Sequence, residues 1–253
     1  MSNSNNINRV DVIVLSYAKN DTLFETTKKC VESYLKSPLV NKIFVVESNR
    51  NFDKTYNSDK VDIVIPQEEF NYNKFFNIAL ERCSSEFVIG PNNDLVVHDN
   101  CIESMVKQFD LTPTIDSLCP IDRNWHRHTK MYLPSDDKIY LGYETSLHMF
   151  GCLFMCRRKM FEKIGYLDER FFFFYQDNDY IMSLQRLNII HGVYTGARIS
   201  HVSGGSNDIA NGRCAYTPYN MNTQGDLLAE KWFYSEPFKS GGYKKFKDYE
   251  YLH

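Results

Sequence analysis

Four polar clusters in this chain follow short apolar runs, at positions where side chains could bind a ligand. They are Ser16-Tyr17, Glu47-Ser48-Asn49, residues 71–74 with Asn73 and Lys74, and Asn92-Asn93-Asp94. In open α/β sheets, ligands bind beyond the carboxyl ends of the strands, where such loops meet. A carboxylate beside amide side chains can hold a hard divalent ion and the phosphates that it bridges. The sequence Pro-Asn-Asn-Asp at 91–94 is also good turn chemistry, so this cluster taken alone favours a plain turn.

Two further acids, Asp177 and Asp179, come directly after a run of aromatic residues at 171–175. An apolar wall can raise the pKa of a carboxylate toward the range in which a general base works, whereas a helix N-terminus lowers it. The alternative is that Asp177 simply caps a helix. His201 is a third candidate; a lone histidine is usually structural, but imidazole together with carboxylate suits Mn²⁺ or a related ion.

The elements that must position these residues alternate between strand and helix. Apolar runs predict strands at 10–15, 42–46, 61–65 and 87–89, a helix capped by Asp21 or Thr22, and a helix over 71–82. The second half is less regular, with helices predicted at 100–109, 159–164, 179–187 and near 225–233, strands at 150–156 and 192–195, and a loop-rich stretch at 111–143. The alternation predicts an α/β fold with a mostly parallel sheet and helices on both faces.

Composition bounds the class of protein. The chain has 253 residues, 43% hydrophobic and 24% charged, with a formal net charge of −3, which is typical of an ordinary globular protein. That charge argues against a surface built throughout to bind nucleic acid. The polar start predicts no secretory signal, and no apolar run is long enough to span a membrane. Seven scattered cysteines without CxxC pairs predict buried free thiols, including Cys152 and Cys156, and a cytoplasmic protein.

The order of these segments resembles that of a family, the inverting GT-A-fold glycosyltransferases of family two, especially their rhamnosyltransferase-like branch. The resemblance covers residues 10–206 and is carried by VVESN, FNYNKFFNIAL, GPNND and the stretch from Gly151 to Ser206. GPNND is similar to the family's metal-binding Asp-x-Asp. The family resemblance implies a GT-A domain at 1–206, followed by an extension at 207–253. Within that domain, residues 10–97 would bind the nucleotide sugar, and residues 98–206 would form the acceptor and catalytic half.

The resemblance also implies a catalytic centre. Asp94 and His201 would bind Mn²⁺ or Mg²⁺, and Asp177 would be the general base that takes the proton of the acceptor hydroxyl, with Asp179 as second candidate. Gln176 replaces the family's Glu beside the base, where it would contact the acceptor.

A donor site is implied in the first half of the chain. The donor would be a nucleoside-diphosphate sugar, UDP- or dTDP-linked. Residues assigned to it are Ser16, Tyr17 and Glu47 at the nucleobase and ribose, Asn73 and Lys74 at the sugar or diphosphate, and Asn92 and Asn93 beside the metal. Asn92 stands where the family has an acid, so it would only donate or accept hydrogen bonds.

The acceptor stays open, since a glycan, a lipid-linked sugar, a protein or a modified base all offer a hydroxyl. Trp125 and His126 in the loop 120–137 are candidate contacts. Lysines between 239 and 247 beside Tyr243 and Phe246 could touch phosphates, so a hydroxymethylated base in viral DNA, with the enzyme in the host cytoplasm, is a minority hypothesis. A solvated tail is the commoner explanation of such a run.

Two other functions compete with a glycosyltransferase. A nucleotidyltransferase should have an early Gly-rich phosphate loop, whereas residues 16–21 contain no glycine. Asn92 and Gln176 stand where the family has acidic residues, and these two replacements favour a non-catalytic sugar-nucleotide-binding module. The filled base and metal positions favour the enzyme.

Overall fold

The structure, a computed structural model, describes residues 9–122, 133, 136–149, 151–201 and 218–232, and for residues 218–222 the backbone alone. Its strands are β1 (Val10–Ser16), β2 (Val40–Glu47), β3 (Val61–Val64), β4 (Phe87–Pro91), β5 (Leu95–Val97), β6 (Ile115–Asp122), β7 (Ile139–Leu141), β8 (Leu153–Arg157) and β9 (Ile190–His201). Its helices are α1 (Asp21–Leu35), α2 (Tyr72–Leu80), α3 (Cys101–Leu111), α4 (Phe161–Ile164), which continues a 3₁₀ turn at Arg158–Met160, α5 (Gln176–Arg186) and α6 (Pro218–Trp232).

Within the described ranges, the strands form one sheet in the order β3-β2-β1-β4-β8-β6-β9-β5, and β7 lies beside β9. Strand β1 pairs in parallel with β2 and β4, and β2 pairs in parallel with β3, which confirms the predicted α/β class. Strand β4 then pairs antiparallel with β8, so the two predicted halves share a single sheet. The division of the chain at 97 and 206 stays a prediction.

Local sequence explains the first half of the sheet. All seven residues of β1 are buried, as its apolar run predicts for a central strand. Helix α1 is capped by Asn20, whose side chain accepts a hydrogen bond from the backbone N–H of Leu23 at 2.9 Å. The prediction of Asp21 or Thr22 as the cap was therefore wrong by one or two residues. Asn71 caps α2 in the same way, accepting from the N–H of Lys74.

Long-range pairing added strands that local patterns did not indicate. The stretch predicted to be loop-rich contains β6 and β7, because β6 pairs in parallel with β9. The pairing register of β6 shifts between Pro120 and Ile121, and such a bulge tolerates a residue without a backbone N–H. Strand β9 runs to His201 rather than ending at Thr195, and β5 was not predicted at all.

Cysteines and the last helix agree with the sequence-based expectations. The six cysteines in the described ranges are buried and form no disulfide there, including Cys152 and Cys156. Helix α6 overlaps the helix predicted near 225–233 and begins earlier, at Pro218. Among the described helices, none combines the length and apolar character that crossing a bilayer requires.

Candidate active site

The candidate site lies at the carboxyl ends of β1, β2 and β4. The chain passes from β1 outward to β2 on one side, whereas β4 joins β1 on the other, so the strand order reverses at β1. Loops that leave neighbouring strands in opposite directions open a crevice, which is where nucleotides bind in such sheets. Three of the four predicted polar clusters follow these strands.

Glu47, at the end of β2, is buried and only half satisfied. Its Oε1 accepts hydrogen bonds from the backbone N–H groups of Ala18, at 3.0 Å, and Asn49, at 2.7 Å. Its Oε2 has no hydrogen-bond partner in the described part of the chain. Burial raises the pKa of Glu47, and the backbone N–H of Asn49 is the main opposing effect. A buried acceptor oxygen without a partner indicates that a ligand supplies the donor.

Tyr56 is the aromatic residue that senses the charge of this glutamate. The rings of Phe24 and Tyr56 lie 5.5 Å apart, and the pKa of Tyr56 is raised by burial and by the charge of Glu47. The hydroxyls of Tyr56 and Ser48 also lack partners within the described residues. Tyr17 is 44% exposed, with the Lys19 Nζ 5.6 Å from the centre of its ring. The surroundings of Glu47 thus combine flat apolar surface with unsatisfied polar groups.

The loop after β4 is anchored to α1 and to β8. The Asn93 amide donates to the Thr27 hydroxyl at 2.9 Å, and Ser16 Oγ lies 3.2 Å from the same hydroxyl. The backbone N–H of Asn92 donates to the carbonyl of Cys152 at 2.7 Å. Ser16, at the end of β1, and Asn93 therefore both contact Thr27 of α1. These contacts fix the turn that leads to Asp94.

Asp94 and His201 are brought together by the pairing of β5 with β9, in which Leu95 stands opposite His201. The His201 Nε2 lies 3.0 Å from Asp94 Oδ1, with the side chain of Asp94 12% exposed and that of His201 35% exposed. The backbone N–H of His201 donates to Asp122 Oδ2 at 3.1 Å. Asp122 lies in the stretch predicted as loop, and sequence reasoning missed it.

The two side chains fit a divalent ion as a partial ligand set. A carboxylate oxygen and an imidazole nitrogen at this separation suit Mn²⁺, which can take its other ligands from diphosphate oxygens and water. In the described ranges, no group of three or more His, Cys, Asp and Glu side chains could hold a metal alone. This arrangement therefore suits an ion that arrives with a phosphorylated ligand.

Asp177 stands in the first turn of α5, after Tyr175, whose backbone is left-handed (φ 64°). The helix is capped by Tyr175, so the alternative that Asp177 is the N-cap was wrong. Burial raises the pKa of Asp177, and burial together with the charge of Asp177 raises the pKa of the Tyr72 hydroxyl. Gly151, at φ +70°, makes room for it, because a Cβ there would lie 3.0 Å from Asp177 Oδ2.

Cys152 links the base candidate to the metal candidates. Burial, aided by the negative charges of Asp94, Asp122 and Asp177, raises the pKa of its thiol to about 12. All three carboxylates therefore lie around one buried side chain. Gly151 and Cys152 stand in the quoted Gly-rich stretch, but only the fold indicates that they face the acids.

Asp179 and Gln176 occupy different surroundings. Asp179 is buried, and its Oδ1 accepts from the indole N–H of Trp232 and contacts Lys231 Nζ, both at 2.7 Å. Gln176, the first residue of α5, is half-buried. The structure thus engages Asp179 in internal contacts, whereas Asp177 faces Gly151.

Asn73 and Lys74, the two predicted donor-binding residues on α2, lie in different environments. Asn73 is buried, and its amide donates to the carbonyl of Asp168 at 2.8 Å, which fixes the loop before α5. Lys74 Nζ lies 3.5 Å from Glu68 at the surface. Trp125, His126 and the lysines of 239–247 lie outside the described residues.

Comparisons with known proteins identify the fold and the family. The chain resembles GalNAc-T7, crystallised with UDP, GalNAc and Mn²⁺, at a TM-score of 0.67 and 11% identity, over 90% of this chain and 49% of that one. It thus spans about half the length of that protein. S. aureus TarS 1-349 with UDP-GlcNAc matches at a TM-score of 0.65 and 14% identity, over 92% of this chain and 69% of that one.

A third solved structure is similar over a shorter region. The mannosyltransferase PcManGT from Pyrobaculum calidifontis, with GDP-Man and Mn²⁺, matches at a TM-score of 0.55 and 15% identity, over 75% of this chain and 56% of that one. A sequence comparison with curated proteins finds no significant match. The sequence profile of Glycosyl transferase family 2 matches residues 11–165, more than half of the chain. The chain therefore belongs to glycosyl transferase family 2 and has the GT-A fold.

Proposed function

We propose that the protein is a metal-dependent inverting glycosyltransferase that moves one sugar from a nucleoside-diphosphate sugar to an acceptor hydroxyl. The observation that carries this proposal is the gathering of Asp177, with its raised pKa, and of Asp94 beside His201 around the single side chain of Cys152. A base and a site for an anionic leaving group on one cleft are what a single displacement needs. The rhamnosyltransferase-like branch stays a prediction.

The donor would lie with its base near Glu47 and its diphosphate near Asp94. The unpaired Glu47 Oε2 favours a ring or ribose that presents a single N–H or O–H donor, as uracil and thymine do. UDP accompanies GalNAc-T7 and UDP-GlcNAc accompanies TarS, which supports the choice of a UDP- or dTDP-linked sugar. Asp94 and His201 would hold Mn²⁺ or Mg²⁺, which supplies positive charge to the departing diphosphate.

The chain's own residues then divide the work. Asp177 accepts the proton of the acceptor hydroxyl while the acceptor oxygen bonds to the anomeric carbon. The bond between that carbon and the diphosphate oxygen breaks, and the nucleoside diphosphate leaves with the electron pair. Because its pKa is raised by burial, the Asp177 carboxylate is a stronger base toward the acceptor hydroxyl than an exposed aspartate would be. One displacement inverts the anomeric centre.

A donor panel tests the proposal. UDP-glucose, UDP-GlcNAc, dTDP-linked sugars and GDP-mannose are each added with and without Mn²⁺, and both melting temperature and release of nucleoside diphosphate are recorded. A donor at 100 times its Kd should stabilise the fold by about 2.7 kcal/mol, with a larger shift when Mn²⁺ is present. Stabilisation without release of nucleoside diphosphate would identify a binding module instead of an enzyme.

Glu47→Gln should weaken donor binding without weakening the fold. The variant keeps an oxygen for the N–H groups of Ala18 and Asn49 but replaces the unpaired Oε2 with a donor NH₂. We expect the Kd for the preferred sugar nucleotide to rise about 10-fold, as loss of one hydrogen bond predicts, with an unchanged melting temperature. Calorimetric titration measures the Kd, and Glu32→Gln, an exposed change on α1, is the matched control. An unchanged Kd would remove Glu47 from the donor site.

A further inference from the structure

Helix α6 contacts the segment that carries the base on both sides of Asp177. Its Gln224 is buried and bridges two backbone groups, accepting from the N–H of Phe172 at 2.8 Å and donating to the carbonyl of Arg170 at 3.0 Å. Farther along the helix, Trp232 and Lys231 hold Asp179. These contacts bracket residues 170–179, which join α4 to the first turn of α5.

The contact at Asp179 is a buried and charged one. Trp232 is 1% exposed and its indole N–H lies 2.7 Å from Asp179 Oδ1. Lys231 Nζ bridges the same oxygen, at 2.7 Å, to Asp168 Oδ2, at 2.9 Å. Removing one partner from a buried carboxylate held by a cation and an N–H donor leaves charge unpaired in the interior, so these contacts resist movement of Asp179.

Because Asp177 and Asp179 share the first turn of α5, the contacts of Asp179 also fix the orientation of Asp177. Residues two apart on an α-helix differ in direction by about 200°, so Asp177 and Asp179 point to nearly opposite sides. Asp179 faces α6, and Asp177 faces Gly151. Fixing one side of the first turn therefore fixes the rotation of the other. The turn begins at Tyr175, which has a left-handed backbone, makes no side-chain cap and lies against Gly225 of α6. Asn178 also anchors this turn, donating to Thr145 Oγ1 at 2.9 Å.

We propose that α6 helps to position the base, acting through Gln224 on the backbone of 170–172 and through Trp232 and Lys231 on Asp179. This inference rests on the proposed role of Asp177. It makes Asp179 a positioning residue rather than a second base. It also assigns part of the C-terminal extension to catalysis, although the family profile ends at residue 165.

Trp232→Phe tests the inference, because it removes the indole N–H and keeps an aromatic ring. Hydrogen exchange measured by mass spectrometry should become about 10-fold faster in residues 170–179 and stay unchanged in β1 and β4. Release of nucleoside diphosphate from the best donor of the panel should fall about 10- to 100-fold, with its Kd unchanged, because misplaced groups lose turnover rather than donor contacts. Asp226→Asn, exposed on the same helix, should change neither.

Two further variants separate positioning from a general loss of stability. Val31→Ala, on the buried face of α1, lowers stability through a different helix. It should leave turnover unchanged at a temperature where it and Trp232→Phe are both folded. Asp179→Asn keeps an oxygen for Trp232 but loses the charge opposite Lys231, so its turnover should exceed that of Asp179→Ala. Equal turnover in Asp179→Asn and Asp179→Ala would contradict the claim that the contacts of Asp179 with Trp232 and Lys231 position Asp177.

The outcomes distinguish this inference from the proposed function. Uniformly faster exchange, unchanged exchange at 170–179, or full turnover in Trp232→Phe overturns the positioning role. If Asp177→Asn keeps its turnover, the base assignment fails whatever the exchange data show. If wild type releases no nucleoside diphosphate, the proposed function fails, and local exchange still decides whether α6 clamps the segment.

Discussion

Asp177→Asn is expected to lower turnover by about 10²–10⁴-fold, the usual contribution of a general base, while donor affinity stays unchanged. The amide fills the same space beside Gly151 but cannot accept the acceptor's proton. Initial rates of nucleoside diphosphate release at saturating donor measure the loss. Donor affinity is measured by calorimetry on the same preparation, so that an unfolded variant is recognised.

The melting temperature separates this role from a structural one. Burial raises the pKa of Asp177, so its ionised form costs folding free energy at neutral pH and its removal should not lower the melting temperature. An acid kept only for the helix dipole would give the opposite pattern, a fold weaker by about 0.3–1 kcal/mol with normal turnover. Glu162→Gln, exposed in the first turn of α4, is the matched control.

The same pKa direction predicts how activity depends on pH. As pH falls through the raised pKa of Asp177, the carboxylate takes up a proton and can no longer act as a base, so kcat/KM falls. The acid limb should therefore lie above the ordinary Asp range near pH ~4. The contribution of Asp177 to folding stability changes with pH in the opposite direction to activity. Because the folded state binds the proton more tightly than the unfolded state, the fold gains stability as pH falls.

Asp94→Asn is expected to have the second large effect, a fall in turnover of about 10²–10³-fold, comparable to loss of one group that stabilises a leaving oxyanion. The variant removes the only carboxylate that the described structure places against His201 Nε2, and with it the charge that would hold the ion. Donor affinity should fall in Mn²⁺, and in EDTA the variant and wild type should bind donor equally. Calorimetry with and without Mn²⁺ measures both.

Asp99→Asn is the control for this change, since Asp99 is an exposed carboxylate that follows β5. It should keep both affinity and turnover. Equal loss in Asp94→Asn with and without the metal would indicate that Asp94 acts on the fold or directly on the donor, and the assignment of a metal ligand would be wrong.

Local sequence patterns were sufficient for the parts of the site that stand at predicted strand ends. Apolar runs predicted β1, β2 and β4, and the polar residues after them, including Glu47 and Asp94, lie at the carboxyl edge of the sheet. Each of these positions depends only on a strand and the residue after it. The parallel pairing of these strands then follows from the strand–helix alternation.

Long-range contacts were beyond the reach of such patterns. The pair of Asp94 and His201 depends on β5 meeting β9 over a separation of 107 residues. Asp179 looked equivalent to Asp177 because both follow the aromatic run, and its partners Lys231 and Trp232 lie more than fifty residues away. Asp122 was missed because β6 contains Pro120, a residue that is unusual in a strand, and the stretch was predicted to be a loop. In each case, the missing information was which distant element packs against the residue.

One measurement tests the central claim most directly, the anomeric outcome of the reaction. The wild-type protein is incubated with Mn²⁺ and the best donor of the panel, with methanol as acceptor, and the anomeric proton signals are followed by NMR. The account predicts consumption of the donor, release of nucleoside diphosphate and a methyl glycoside of inverted configuration. A methyl glycoside of retained configuration, or a donor that binds but is never consumed, would contradict it.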